Sequence, residues 1–96
     1  RTKRGMKVRF QLWGQLRKAT GILAPEVELS FGSVAADAIK VLADDFPDLQ
    51  SILLDDGGEV RPIILVFRDG QQLEPHDSEP LSEGSELTLM SPIAGG

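Results

Sequence analysis

The chain has 96 residues, of which 41% are apolar and 26% charged, and its formal net charge is −5. This length suffices for one domain with a single modest core. Because the sequence has no cysteine, it excludes disulfides, thiolate metal sites and a cysteine nucleophile. No apolar run approaches the roughly 20 residues that span a bilayer, and no signal-peptide pattern occurs. We therefore expect a cytoplasmic protein with no membrane partner.

The charges are divided unevenly along the chain. Residues 1–18 hold seven of the ten Lys and Arg residues and no acid, whereas all 15 acids follow them. Basic and apolar residues alternate in this stretch, so we interpret it as the solvated face of a strand and expect no nucleic-acid partner. The acidic remainder argues against a phosphate-binding protein. It suits a partner with a basic groove, although a soluble surface explains it equally well.

The first predicted elements are two strands. Apolar and polar residues alternate over 6–12 and again over 26–30, and glycines at both ends predict a loop over 14–21. Because the two runs are close in sequence, they predict an antiparallel hairpin.

A helix should follow, with Ser33 as its N-cap and Pro47 as its end. Its apolar residues recur at spacings of three and four: Val34, Ala35, Ala38, Ile39, Leu42 and Phe46. Pro47 can also open a second, shorter helix that carries Leu49, Ile52 and Leu53.

Three more strands are predicted in the second half. The apolar run 63–67 predicts a central strand, Asp69-Gly70 a hairpin turn, and 71–73 a short return strand. A polar connection leads to the last strand at 86–90. One amphipathic helix can cover only one face of such a sheet, so the fold class is α+β. A mixed sheet of four to five strands with neighbouring first and last strands would be the β-grasp, or ubiquitin-like, arrangement.

Ala94-Gly95-Gly96 closes the sequence. Neither terminal glycine has a side chain, so a carboxylate at Gly96 can enter a narrow channel and be attacked or transferred by an enzyme. The alternative is a terminus without a chemical role.

Three segments resemble the ubiquitin-like sulfur carriers, the family of the molybdopterin synthase small subunit and the thiamine-pathway carrier. Residues 13–17 resemble the family's aromatic-small-x-Leu-Arg stretch, 61–70 its central strand and turn, and 81–96 its closing signature almost throughout. The resemblance extends over roughly residues 6 to 96. Two departures, Asp69 in the central turn and Ser91 where many members have a second proline, leave the chemistry untouched but weaken assignment to one pathway.

The resemblance implies a flexible basic extension at 1–5, a β-grasp domain at 6–90 and a flexible Gly-Gly tail at 91–96. An E1-like adenylating enzyme would use ATP-Mg to convert the Gly96 carboxylate into an acyl-adenylate. Sulfur from a persulfide or sulfide would then displace AMP and leave a thiocarboxylate. The carrier itself would be non-catalytic and would bind no cofactor or metal.

The sulfur acceptor implied by the resemblance is the large subunit of molybdopterin synthase. A cysteine synthase or a thiamine-pathway enzyme is an alternative acceptor. A second class is a ubiquitin-like protein modifier, in which Gly96 forms an isopeptide bond with a target lysine. A third is a pure interaction domain whose Gly-Gly end is incidental.

A docking surface should accompany the tail. Alternation puts Trp13 and Met90 away from the core face, and the resemblance implies that Leu65 and Phe67 also face outward. We expect these four residues to contact partners together with the tail residues Pro92, Ile93, Ala94 and Gly95. The alternative is that Trp13 folds over the core edge and Phe67 packs under the turn.

The remaining titratable residues give no catalytic or metal motif. His76 is the only histidine and lacks neighbours at ligand spacing, so we interpret it as a surface residue. The pairs Asp44-Asp45 and Asp55-Asp56 are interpreted as a solvated helix end and a solvated loop.

Overall fold

The computed structural model describes residues 5–22, 24–74 and 77–91. Its strands are β1 (Met6–Leu12), β2 (Glu26–Leu29), β3 (Leu65–Arg68), β4 (Gln71–Gln72) and β5 (Glu86–Met90). Its helices are α1 (Gln15–Thr20), α2 (Ala35–Asp45) and α3 (Gln50–Leu53), with a 3₁₀ turn at Pro47–Leu49. Most of the predicted extension 1–5 and tail 91–96 lies outside the described residues.

The five strands form one mixed sheet in the order β2-β1-β5-β3-β4. β1 is antiparallel to β2 and parallel to β5, and β3 is antiparallel to both β5 and β4. The first and last strands are therefore neighbours at the centre of the sheet. This arrangement confirms the predicted α+β class and the mixed sheet.

The core lies between the sheet and α2. Phe10 and Leu12 of β1 lie beside Leu87 and Leu89 of β5, and all four side chains are fully buried. From the helix side, α2 contributes Ala35, Ala38, Ile39, Leu42 and Ala43. Each large apolar side chain buried in this way stabilises the fold by about 1.5–3 kcal/mol relative to an exposed one.

One predicted loop is a helix. Residues 15–20 form α1, which starts after Gly14 (φ 60°) and ends at Gly21 (φ 72°), whose N–H donates to the Arg17 carbonyl oxygen. Leu16, fully buried, is the one core residue of α1. A single apolar anchor gives no periodicity in the sequence, so the prediction of a loop over 14–21 was wrong.

The start of α2 also differs from the prediction. The N-cap is Val34 rather than Ser33, and the Val34 N–H donates to the Asp37 carboxylate at 3.0 Å. Ser33 instead accepts a hydrogen bond at its carbonyl oxygen from the Leu81 N–H at 2.8 Å. Asp37 thus satisfies the amide of the N-cap residue from within the helix, which is the N3 half of a capping box.

The segment after α2 follows the prediction. Pro47 begins the 3₁₀ turn, and α3 follows directly. Leu49 and Leu53 are fully buried, so this segment closes the end of the core that α2 leaves open.

The connection between β4 and β5 is held to the sheet by Arg68. Its guanidinium lies 2.6 Å from the Glu79 carboxylate and 3.9 Å from that of Asp77, and the Arg68 side chain is only 17% exposed. Asp69, in the predicted hairpin turn, accepts a hydrogen bond from the Glu86 N–H at 3.1 Å. These contacts join the start of β5 to the β3–β4 hairpin.

We predict that truncating the inner face of β5 is far more costly than truncating its outer face. Leu89→Ala should lower the free energy of unfolding by about 2–5 kcal/mol, because it leaves a cavity in the core between the sheet and α2. Thr88→Ala, one residue earlier on the half-exposed face, should cost less than about 1 kcal/mol. Urea denaturation of both variants measures the difference. Equal losses would mean that the register of β5 is wrong.

Candidate functional site

β5, the strand that precedes the tail, lies at the centre of the sheet. β5 ends at Met90, and residues 92–96, including the predicted site residues Pro92, Ile93, Ala94, Gly95 and Gly96, lie outside the described residues. At this end of β5, Leu89 is paired with Leu12 of β1, and Met90 is paired with Leu65 of β3. The point from which the tail departs is therefore bounded by the end of β1 and the beginning of β3.

The strand register assigns the sheet face of each predicted docking residue. Leu65 is paired with Met90, and Phe67 with Thr88, which is also paired with Gln11. These positions alternate with the buried leucines of β5, so they lie on the face opposite α2. Within the apolar run 63–67, Leu65 and Phe67 therefore face away from α2, as the resemblance implied.

Trp13 extends this face beyond the end of β1. The parallel ladder runs from the Arg9 N–H, which donates to the Ser85 carbonyl oxygen at 3.0 Å, to the Trp13 N–H, which donates to the Leu89 carbonyl oxygen at 3.2 Å. Arg9 and Trp13 are therefore equivalent positions of one ladder and share a face. Trp13 is 52% exposed, which contradicts the alternative in which it folds over the core edge.

Together these residues form a surface that we call the outer-face patch: Trp13, Leu65, Phe67 and Met90. None of the four belongs to the core cluster or to the partly buried apolar residues packed against it. Leu65, Phe67 and Met90 are half-buried by their strand neighbours. The structure thus brings the four predicted docking residues together on one face, beside the point where the tail departs.

The opposite end of the same face is polar. Arg9 lies beside Glu86 on β5 and 3.7 Å from the Glu26 carboxylate on β2, with both partners of that ion pair about half exposed. A pair this exposed contributes less than about 1 kcal/mol to stability. The apolar part of this face is therefore confined to the half of the sheet that contains the end of β5.

Sequence reasoning missed Ile63. It is 44% exposed and lies two residues before Leu65, whereas its neighbour Ile64 is buried. Both isoleucines belong to one continuous apolar run, so the sequence contains no signal that separates the exposed residue from the buried one.

The described residues carry little chemistry of their own. They contain no group of His, Asp and Glu side chains arranged to hold a metal ion, and His76 lies outside them. Asp55 accepts hydrogen bonds from the Gly57 and Glu59 N–H groups at 2.9 and 3.0 Å, so its carboxylate organises a turn. No helix in the described part of the chain is long and apolar enough to cross a membrane.

The model of the ThiS family matches residues 10–96. The chain belongs to the ThiS family. This membership confirms the ubiquitin-like sulfur-carrier family that the sequence resembles.

A curated relative of this ThiS-family chain is the small archaeal modifier protein 1 of Haloferax volcanii. The two are 29% identical over 87 residues, which cover 91% of this chain and 98% of the relative. The crystal structure of that modifier superposes with a TM-score of 0.83 and 28% identity, covering 94% of this chain and 99% of the other.

A third comparison shows the fold alone. A Pyrococcus furiosus structure, provisionally described as subunit 1 of a molybdopterin converting factor, superposes with a TM-score of 0.73 at 18% identity, covering 92% of this chain and 99% of that structure. These superpositions confirm the predicted β-grasp. The chain is accordingly a member of a family of small ubiquitin-like carriers and modifiers.

We predict that Trp13, the single tryptophan, is open to solvent in the native protein. Because Trp13 is 52% exposed, acrylamide should quench its fluorescence readily in buffer, although less efficiently than in concentrated urea, where the indole is fully exposed. Stern–Volmer constants measured in both conditions make the comparison. A native constant several-fold below the unfolded one, with blue-shifted emission, would instead place the indole over the core edge.

Proposed function

We propose that the chain is a sulfur carrier that acts through the carboxylate of Gly96. Membership of the ThiS family supports this function. The observation that carries it is the position of β5, the strand before the Gly-Gly tail, which ends at Met90 in the centre of the sheet, at the outer-face patch.

The reaction would have two steps, both on a partner enzyme of the E1-like adenylating class. A carboxylate oxygen of Gly96 attacks the α-phosphorus of ATP, with magnesium bound by the enzyme, and pyrophosphate leaves. A sulfur nucleophile then attacks the carbonyl carbon of the acyl-adenylate and displaces AMP. With sulfide the product is the thiocarboxylate, whereas with a persulfide a thiol must also cleave the sulfur–sulfur bond.

The tail supplies reach and clearance for these steps. Six residues from Ser91 extend at most about 20 Å, so the carboxylate can enter a buried site while the domain stays outside. Pro92 restricts the backbone and lowers the entropy lost on ordering. Gly95 and Gly96 leave no Cβ to collide with the walls of a channel.

The outer-face patch supplies docking. Trp13, Phe67 and Met90 are of the aromatic and methionine types that are enriched at protein interfaces, and they lie at or near the end of β5 from which the tail continues. We propose that they contact first the activating enzyme and then the sulfur-acceptor enzyme. The acceptor that the sequence resemblance favours is the large subunit of molybdopterin synthase, and a cysteine synthase or a thiamine-pathway enzyme is the alternative.

A second candidate function is protein modification. The curated relative is a small archaeal modifier protein, and an isopeptide bond to a lysine uses the same acyl-adenylate. The difference lies in the nucleophile, which is a sulfur atom for the carrier and a lysine amine for the modifier.

We predict a thiocarboxylate at Gly96. Incubation with a cognate activating enzyme, ATP and a sulfur donor should raise the intact mass by the difference between sulfur and oxygen, and fragmentation should place the change on Gly96. A chain that lacks Gly95 and Gly96 is the control and should stay unmodified.

Unmodified full-length protein with several donors would contradict the carrier function, as would a mature cellular protein that retains residues after Gly96. High-mass adducts in cells that disappear when Gly96 is deleted would favour the modifier.

A further inference from the structure

A groove lies on the flank of the domain, between α2 and the β3–β4 side of the sheet. Its volume is about 530 Å³. On the helix side its wall is formed by Ala35 and Ala36, whose small side chains leave the space open. On the sheet side β4 is only two residues long, and the last bond toward β3 is from the Leu73 N–H to the Val66 carbonyl oxygen at 2.9 Å.

The floor of the groove is apolar. Ile39 of α2 and Ile64 before β3 are buried core residues. Val60, Val66 and Leu73 are partly buried, pack against the core and also line the groove. An aliphatic side chain placed here would bury apolar surface on both sides.

The rim of the groove is acidic. Its charged lining consists of the carboxylates Asp55, Glu59, Glu74 and Asp77 and one guanidinium, that of Arg61, which gives a formal charge of −3. The Arg61 side chain reaches α3, where its Nε–H donates to the Ser51 carbonyl oxygen at 3.2 Å.

The rim carboxylates differ in their neighbours. Glu59 lies 3.6 Å from Lys40 in an exposed pair of little energetic value. The side chain of Glu74 has no hydrogen-bond or ion-pair partner within residues 5–22, 24–74 and 77–91. Glu74 is therefore the rim carboxylate most available to an external cation.

We propose that this groove binds a short segment of a partner protein in which a bulky aliphatic residue is flanked by lysine or arginine. The apolar floor accepts the aliphatic side chain, and the volume lies in the range of about 300–1,000 Å³ that ligand sites occupy. The acidic rim attracts the flanking cations and repels acidic segments. Glu59 and Asp77 already have Lys40 and Arg68 beside them, so a neutral apolar molecule would leave chiefly the Glu74 carboxylate without a charge partner.

The groove meets the outer-face patch at one residue, Leu65, which belongs to both. Val66 and Ile39 lie on the helix side of the sheet, whereas Phe67 and Met90 lie on the other face. A partner in the groove would thus leave Trp13, Phe67 and Met90 accessible. The inference does not depend on the proposed tail chemistry, and its test involves neither ATP nor Gly96.

The test is a titration of the full ¹⁵N-labelled chain followed by NMR. The ligand is an acetylated and amidated peptide of sequence KLKIK, and the matched controls are ELEIE and KSKSK. KLKIK should shift the amide signals of Ala36, Val60 and Leu73 and leave those of Trp13 and Met90 in place. Raising the salt from about 50 mM to about 500 mM should weaken binding, because the rim charges become screened.

Two variants and one control locate the site. Glu74→Lys should weaken KLKIK binding about threefold or more, because an attraction becomes a repulsion. Asp44→Lys makes the same charge change on an exposed position of α2 outside the groove and should bind like the parent. Ala36→Leu should abolish binding by filling the groove while the melting temperature remains near that of the parent.

Four outcomes would overturn the proposal. The first is the absence of groove shifts at millimolar KLKIK, and the second is an equal response to ELEIE or KSKSK. The third is an equal loss of affinity in Asp44→Lys and Glu74→Lys. The fourth is that groove signals move with protein concentration in the absence of peptide, which would assign the groove to a second copy of the chain.

Discussion

The parallel pairing of β1 with β5 is the interaction on which the rest of the structure depends. It joins the two ends of the chain at the centre of the sheet, where Phe10 lies beside Leu87 and Leu12 beside Leu89, all fully buried. α2 packs on the resulting apolar face, and β3 adds to the free side of β5. The same ladder continues to Trp13, so that one set of hydrogen bonds fixes both the core and the base of the tail.

The pairing also gives the two faces of the sheet different surroundings. The helix side contains the core, and its side chains determine stability. The outer-face patch is apolar yet contributes nothing to that core. Apolar surface that the fold leaves uncovered is characteristic of sites that bind partners, and here it lies at the end of β5. The core and the surface proposed for docking therefore rest on alternate residues of the same strands.

Much of the fold could be predicted from local patterns. Alternation identified β1, β2 and β5, and the Asp69-Gly70 turn identified the β3–β4 hairpin, because a two-residue period and a turn with positive φ are local properties. α1 was missed because one buried residue, Leu16, makes no pattern. The apolar run 63–67 has no alternation, so the faces of Leu65 and Phe67 required the register, and the exposure of Ile63 could not be predicted at all. The parallel pairing of β1 with β5 is non-local, and the chemistry proposed for Gly96 came from the family resemblance and not from any pattern of charges.

The central claim is that the working group of this protein is a backbone carboxylate, presented by a domain that supplies position and no catalysis. ATP–pyrophosphate exchange by a cognate activating enzyme measures activation of that carboxylate and nothing later. The account predicts that exchange requires the full chain and is lost when Gly96 is amidated, although the amidated protein melts at the same temperature and still binds the enzyme. Equal exchange with the amidated chain would contradict the account, because the activated group would then lie elsewhere in the protein.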